Sequence, residues 1–434
     1  MNILLIENVW MGKEKYGFFD KAFLTMFSVL PSLYARHIVS FTPREHTVKI
    51  INERYEKIDF EKKYDIVHIN FTNSTALHAY EIADKFRKRG ITVVLSGLHP
   101  SAMPSESLQH ADSVLLGQVG LNWLQLLKDY KQNKLKKIYG PVEIDNKQLN
   151  IPSTKIDLPG FVLTGAIEAT RGCPYGCEFC RETNIPGGSN FITRPIKDVV
   201  KDIKKLPQKA FTFYDTSLTI NPSYTKKLFK EMQGIGKHFS CNGNVDVLAK
   251  DRELLKLAKK AGCVSWLIGF ESVSQKTLDD IGKKTNKVDD YSKALENIHK
   301  YDMAGIGCFI LGFDSDTKDI FIKTLKTAKE INIDAADFLI LTPFPGTPLY
   351  EKLKSEKRIL TTDWGRYNMR NVVFKPKNMT EDELLKGVKN LFNEFHSLKN
   401  ISYRTIRSIK YGFYPFFIVL ERNFFSYMNK RRMK

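Results

Sequence analysis

No apolar run in this chain is long enough to cross a bilayer. The longest, Tyr411 to Leu420, covers about ten residues, and a helical span needs roughly 20. The opening residues, Met1-Asn2-Ile3-Leu4-Leu5-Ile6-Glu7, lack a basic n-region and a small-residue cleavage site, which argues against a secretory signal. Cysteine is scarce, six in 434 residues, so the chain is not a small disulfide scaffold. Acid is in deficit, with 48 Asp and Glu against 67 Lys and Arg and a net charge of +19. Such a balance attracts polyanions without choosing among them. Much of the surplus lies on helical stretches such as 197–205 and 250–260, where a solvated basic face is the ordinary reading. These absences lead to the expectation of a cytoplasmic protein in a reducing, oxygen-poor setting. A hydrophobic fraction of 42% excludes global disorder.

Hydrophobic patterning then divides the chain. Over the first 130 residues, short apolar runs (2–6, 47–51, 65–70, 92–95 and 113–116) alternate with helical periods such as Ala76, Ala79, Ile82, Ala83 and Phe86. Strands alternating with helices predict an α/β fold, here a doubly wound, Rossmann-like domain over 1–140. Its ligand belongs beyond the carboxyl ends of the strands, near Gly97-Leu98-His99-Pro100 and Gly117-Gln118-Val119-Gly120. Residues 141–160, polar and broken by Pro141, Pro152 and Pro159, read as a linker. A second βα series follows over 161–375, with strands near 165–169, 210–214, 238–241, 265–270, 307–313 and 337–341. Six units make a partial barrel rather than an eightfold one. Residues just past its strand ends are the functional candidates: Cys173, Asp215, Asn242, Glu271 and Asp314. The remainder, 376–434, reads as a helical basic and aromatic region. From Lys399 onward it has nine Lys and Arg against the single acid Glu421, interleaved with aromatics, and this resembles an interfacial amphipathic segment.

Three of the six cysteines fall within Arg171-Gly172-Cys173-Pro174-Tyr175-Gly176-Cys177-Glu178-Phe179-Cys180. Zinc would want four ligands, and the nearest histidines, His110 and His238, are remote in sequence. A closed cubane would also want a fourth thiolate, and none occurs before Cys241. Three thiolates from one short loop leave one iron of a 4Fe-4S cluster open to an outside ligand. The amino and carboxylate groups of S-adenosylmethionine (SAM) can chelate that iron, and the reduced cluster can then cleave SAM to a 5′-deoxyadenosyl radical.

On this motif, residues 161–375 resemble the radical SAM superfamily with its partial (βα)6 barrel. The resemblance makes Cys173, Cys177 and Cys180 the cluster ligands and sets Phe179 against the adenine. Tyr214-Asp215-Thr216 stands where the Gly-Gly-Glu motif for the methionyl amino group is common. Ile268-Gly269-Phe270-Glu271-Ser272 resembles a Gly-x-Glu-Ser run, and Gly307 to Gly312 a later Gly-rich strand near the adenosine. Asn242 and Asp246 are candidate ribose or methionine contacts. A Rossmann-like domain ahead of such a barrel resembles the cobalamin-binding class. There Gly97-Leu98-His99-Pro100 matches part of a Gly-Gly-x-His-Pro turn, which makes Gly97 and His99 cofactor-binding candidates. The Asp-x-His-x-x-Gly run that supplies an axial histidine is absent, and Gln118-Val119 replaces an acidic loop position.

The segment Trp364 to Lys377 resembles class members that modify hopanoids, chlorophyll precursors and archaeal lipids. The resemblance therefore implies hydrogen abstraction from an unactivated carbon, with cobalamin-dependent methylation or carbon–carbon bond formation on a lipid or other hydrophobic substrate. The alternative is cobalamin-free oxidation, cyclisation or cross-linking. An electron donor such as flavodoxin or ferredoxin is implied, and residues 399–434 suggest peripheral membrane contact. Transfer RNA modification is disfavoured, because methylthiolating relatives place a second set of cysteines in the N-terminal domain and the first cysteine here is Cys173. Tyr214, Trp266, Phe344 and Tyr367 are candidate pocket walls. Cys241 and Cys308 are candidate hydrogen donors, although buried structural cysteines are commoner.

Overall fold

The computed structural model describes residues 1–7, 33–53, 56–118, 120–141 and 164–432, with side chains to Met428. The linker 142–160 and Val119 lie outside the described residues.

The N-terminal sheet contains β1 (Asn2–Glu7), β2 (Thr47–Asn52), β3 (Ile66–Asn70), β4 (Thr92–Ser96), β5 (Ser113–Leu115) and β6 (Ile138–Tyr139). All pairs are parallel, in the order β2-β1-β3-β4-β5-β6. Apolar residues occupy both faces, as a sheet covered on both sides requires. Ile3, Leu5, Ile66, Val94 and Leu115 pack on the side of Trp123. Leu4, Ile6, Val67, Ile69, Val93 and Leu95 pack on the side of the helix Ala76–Arg87. The expected strands are present within a residue or two. β6 was not read, since two residues carry no period.

The second sheet is the partial barrel: β7 (Thr164–Ile167), β10 (Ala210–Phe213), β11 (His238–Gly243), β12 (Cys263–Glu271), β13 (Ala304–Leu311) and β14 (Ala335–Ile340). Its strands are parallel and lie in chain order from one edge to the other. Between β7 and β10 sits a two-stranded antiparallel ribbon, β8 (Thr170–Arg171) with β9 (Ile192–Thr193). Local signals start and stop the crossover helices. Asp251 accepts from the Leu254 N–H to cap Arg252–Ala261, and Gly262 ends that helix at φ +102, where a Cβ would lie 2.1 Å from the Lys237 carbonyl oxygen. The interior is aromatic, with Phe211, Phe213, Phe229, Phe239, Trp266, Phe270 and Phe309 in one cluster. Gly307 belongs to this packing, because a Cβ there would come within 2.2 Å of Ile333 Cδ1.

Two features of the C-terminal part position everything else. First, Trp364, Tyr367 and Val373, which follow the last barrel strand, enter the core of the N-terminal domain together with Phe344 and Tyr350. The Trp364 indole donates to Glu106 Oε1 at 2.8 Å. Second, the helix Glu381–Phe395 packs along β14, and the helices Leu398–Ser408 and Phe413–Arg432 close the amino-terminal end of the barrel. Tyr414 stacks on His238 at the start of β11, Tyr411 stacks on His299, and Asn423 donates to the Asp334 carbonyl just before β14 at 2.9 Å. Among the described residues no helix is long and apolar enough to cross a membrane.

Candidate active site

The cysteine loop leaves β8 through Gly172, at φ +83. A Cβ there would sit 2.0 Å from the Asn190 carbonyl oxygen, so only glycine fits the turn. Backbone and amide bonds hold the loop. Cys173 N–H donates to the Gly188 carbonyl at 2.9 Å, and Cys180 N–H to the Cys177 carbonyl at 3.1 Å. Asn184 Nδ2 donates to the carbonyls of Cys177 and Cys180 at 3.1 and 2.7 Å. These bonds do not use the thiols. Burial pushes the Cys177 thiol up to about 11, against the pull of Lys283, and burial also raises Cys180. Metal binding must therefore expel these protons. Among the described residues, no three His, Cys, Asp or Glu side chains converge on a single-ion site. A cubane spaces its ligand sulfurs more widely than one ion does, and three loop thiols with no fourth suit a cluster with one open iron.

A support beneath this loop escaped the sequence reading. Glu178 N–H donates to the Ile281 carbonyl at 3.3 Å. Next to Ile281 and Gly282, Lys283 places its ammonium 2.9 Å from Glu271 Oε1. Burial would lower this lysine, yet Glu271 and the neighbouring Cys177 and Cys180 hold it above the ordinary lysine range. Glu271 itself has φ +61, at a register shift between β12 and β13. Backbone strain in a non-glycine residue thus lies beside the cysteines. The helix after Glu271 is capped by Ser274, not by Glu271.

The other candidates fall around the same barrel end. Asp215 is buried, and its carboxylate accepts from Ala169 N–H, Thr170 N–H and the Thr170 hydroxyl. Burial pushes it up to about 7 against those hydrogen bonds. Asn242 donates to the Asp215 carbonyl at 2.9 Å. Asp246 lies in the first turn of the helix Val245–Lys250 and is raised by burial. Phe179 meets Phe313 edge to face. Gly312, at φ +107, donates its N–H to Asp316 Oδ2 at 2.9 Å. Asp314 is tied to Lys352 and Arg358. Cys241 is buried with its sulfur 4.0 Å from that of Cys263.

On the N-terminal domain, Gly97 has φ +110, and a Cβ there would lie 2.4 Å from the Phe71 carbonyl oxygen. His99 is fully buried. Its Nδ1 meets Asn73 at 2.9 Å and its Nε2 meets Glu106 at 3.2 Å, so both ring nitrogens are occupied. Gly117, at φ +68, abuts the Pro186 carbonyl of the barrel.

The carboxyl ends of the two sheets face each other across a cleft of about 290 Å³. Tyr34, Asn70 and Gly97 line one side, and Arg171, Tyr214 and Thr216 the other. Of the four expected wall residues, Tyr214 lines this cleft, whereas Trp266, Phe344 and Tyr367 are core. Deep in it is a cluster that no local pattern announced. Glu168 accepts from Arg171 Nε at 2.9 Å and from His37 Nε2 at 3.1 Å. Burial alone would raise Glu168, but Arg171 and His37 hold it well below the carboxylate range. Burial and then Arg171 push His37 down to about 4.

Comparison with known proteins places the chain in a family. Residues 167–341 match the radical SAM superfamily. The bacteriochlorophyllide d C-8(2)-methyltransferase of Chlorobaculum tepidum is 32% identical over 393 residues, 85% of this chain and 86% of that protein. The C-12(1)-methyltransferase of the same organism is 32% identical over 352 residues, 77% and 75% of the two chains. The solved structure of TsrM from Kitasatospora setae, a radical SAM methyltransferase with cobalamin and a 4Fe-4S cluster bound, superposes with a TM-score of 0.72 over 100% of this chain and 99% of that one, at 13% identity. With barrel, cysteine loop and whole-length relatives in agreement, the chain belongs to the radical SAM superfamily of enzymes and is related to the bacteriochlorophyllide methyltransferases.

Proposed function

We propose that this enzyme is a cobalamin-dependent radical SAM methyltransferase acting on an unactivated carbon of a hydrophobic small molecule or lipid. The observation that carries the reading is the cleft itself, which sets Arg171 and Gly172, at the start of the cysteine loop, against the ligand edge of a Rossmann-like sheet at Gly97 and Gly117. When bound, the cluster and SAM supply a 5′-deoxyadenosyl radical that removes a substrate hydrogen, and cobalamin supplies the methyl group. Cys173, Cys177 and Cys180 hold the cluster. Phe179 flanks the SAM site, and Glu271, held by Lys283, faces the same loop. Asp215 and Asn242 act as positioning residues for the β7–β8 turn, because the Asp215 carboxylate is spent on that turn. Asp246, Gly307 and Gly312 shape the barrel side of the cofactor site, and Gly97 the floor on the other side.

His99 supports the Gly97 turn rather than a metal, since both its nitrogens are engaged. His37 and His68 are likewise hydrogen-bonded. Cobalamin is therefore held without a histidine from these positions. The same fact favours the second reading, cobalamin-independent radical chemistry at the same cluster. Reduction comes from a flavodoxin- or ferredoxin-type donor, and residues 399–434 give peripheral contact with a membrane.

Anaerobic reconstitution with iron, sulfide and hydroxocobalamin tests this. About four irons per chain with a retained corrin band support methyl transfer. Iron without corrin moves the protein to the second reading. Iron retained by a Cys173, Cys177 and Cys180 triple-alanine variant refutes both.

A further inference from the structure

We infer that the amino-terminal end of the barrel, opposite the cleft, is a docking surface for an anionic phospholipid bilayer. The inference rests on the peripheral-contact reading of residues 399–434 and supplies its surface. Topology assembles the charge. In a βα barrel every crossover helix ends at the amino-terminal side of the next strand. The last helix before each of β10, β11, β12, β13 and β14 carries lysine in its final turn: Lys204 and Lys205, Lys230, Lys259 and Lys260, Lys300, and Lys329. All but the half-buried Lys259 are exposed. A cation complements the dipole at each helix end, so any one of these lysines has a local explanation. Their gathering at one end of the molecule is a consequence of the fold.

The tail helices cross that same end and add what the dipole does not explain. Leu398, Tyr403, Ile406, Ile409 and Phe413 are 60–71% exposed. Leu398 and Ile406 lie about two turns apart on the helix Leu398–Ser408, Ile409 is in the short turn that follows it, and Phe413 opens the next helix beyond Gly412 at φ +94, so these exposed apolar side chains form a stripe along successive elements. Lys399 and Lys410 flank this stripe and are exposed. Acids on this end are engaged or sparse. Asp334 is buried against His299 and Arg407, and Glu394 pairs with Lys329. Glu231, Asp302 and Glu330 remain exposed. An apolar stripe set in a cationic field matches a surface with negative headgroups and an apolar interior. A second copy of this chain, itself cationic there, would be repelled. The cleft faces the opposite way, so the contact tethers the enzyme and does not feed substrate from the bound bilayer.

The test is co-sedimentation of the full chain with vesicles of phosphatidylcholine alone and of phosphatidylcholine mixed with phosphatidylglycerol. Binding is expected only to the mixed vesicles, and high salt should release it. Lys399→Gln with Lys410→Gln should weaken binding roughly thirtyfold. Ile406→Ser with Phe413→Ser should abolish it, and both variants should keep their iron. No binding to mixed vesicles refutes the surface and the peripheral-contact reading together. Vesicle binding that neither variant alters refutes only the surface. A dimer in light scattering that Ile406→Ser with Phe413→Ser converts to monomer would make the stripe an interface between copies, and the inference would fall.

Discussion

Replacing Lys283 by methionine probes the support under the cysteine loop. The ammonium lies 2.9 Å from Glu271, and the two side chains are only 16% and 9% exposed. Removing one member of a buried pair costs about 3–5 kcal/mol, since the other charge stays buried without its partner. For a domain of this size each kcal/mol moves the melting temperature by roughly 2–4 °C. Lys283→Met should therefore lower the barrel transition by roughly 6–20 °C. Adding Glu271→Gln should recover part of that loss, because no buried charge is then orphaned. Differential scanning fluorimetry under anaerobic conditions, on the cluster-free and iron-loaded protein, reads both effects. The loaded variant should also retain less iron, since the cation that offsets the Cys177 and Cys180 thiolates is gone. A Lys283→Met protein that melts with its parent, or single changes that add without coupling, would show that the pair does not support the loop.

Three further outcomes follow from the geometry. Burial pushes His68 down to about 3, so its neutral form belongs to the fold. The stability it contributes is present above the unfolded value near 6.5 and is lost as pH falls toward its folded value, at roughly 1.4 kcal/mol per pH unit. His68→Gln should flatten acid unfolding between about pH 6 and pH 4, and an unchanged slope in urea titrations would contradict this. Gly97→Ala places a Cβ 2.4 Å from a backbone oxygen at φ +110. It should lose roughly 1–3 kcal/mol and weaken corrin retention, and a variant that melts and binds like its parent would refute the turn argument. Trp364→Phe removes a donor from Glu106, for an expected loss of about 1–3 kcal/mol in thermal unfolding.

Much of the architecture was legible because its signals are local. The apolar runs of β1 and β3 to β5 and the period of Ala76 to Phe86 need no distant partner to be read. The spacing of Cys173, Cys177 and Cys180, with the Gly and Pro turn residues around them, is likewise legible within one short segment. What stayed hidden depends on chain separation. His37 meets Glu168 across 131 residues, and Lys283 meets Glu271 across a helix and a turn. Nothing in the flanking residues of either partner marks the meeting. The sequence marks Asp215 as lying just past a strand end, but not the turn that consumes its carboxylate. The two-residue strands β6, β8 and β9 are too short to carry a period.

The shared core around Trp364, Tyr367 and Val373 has a consequence for how the molecule can be divided and inherited. Cut the chain after the linker, and the barrel fragment would carry a tryptophan and a tyrosine whose burial is provided by the other half. The N-terminal fragment would lose the indole that bonds to Glu106. Neither half is a free-standing module, despite the textual break between them. A strap from beyond the last barrel strand ties the two sheets together, so swinging them apart like jaws would break the shared core. Entry to the cleft by movement of loops and side chains at its rim leaves that core intact.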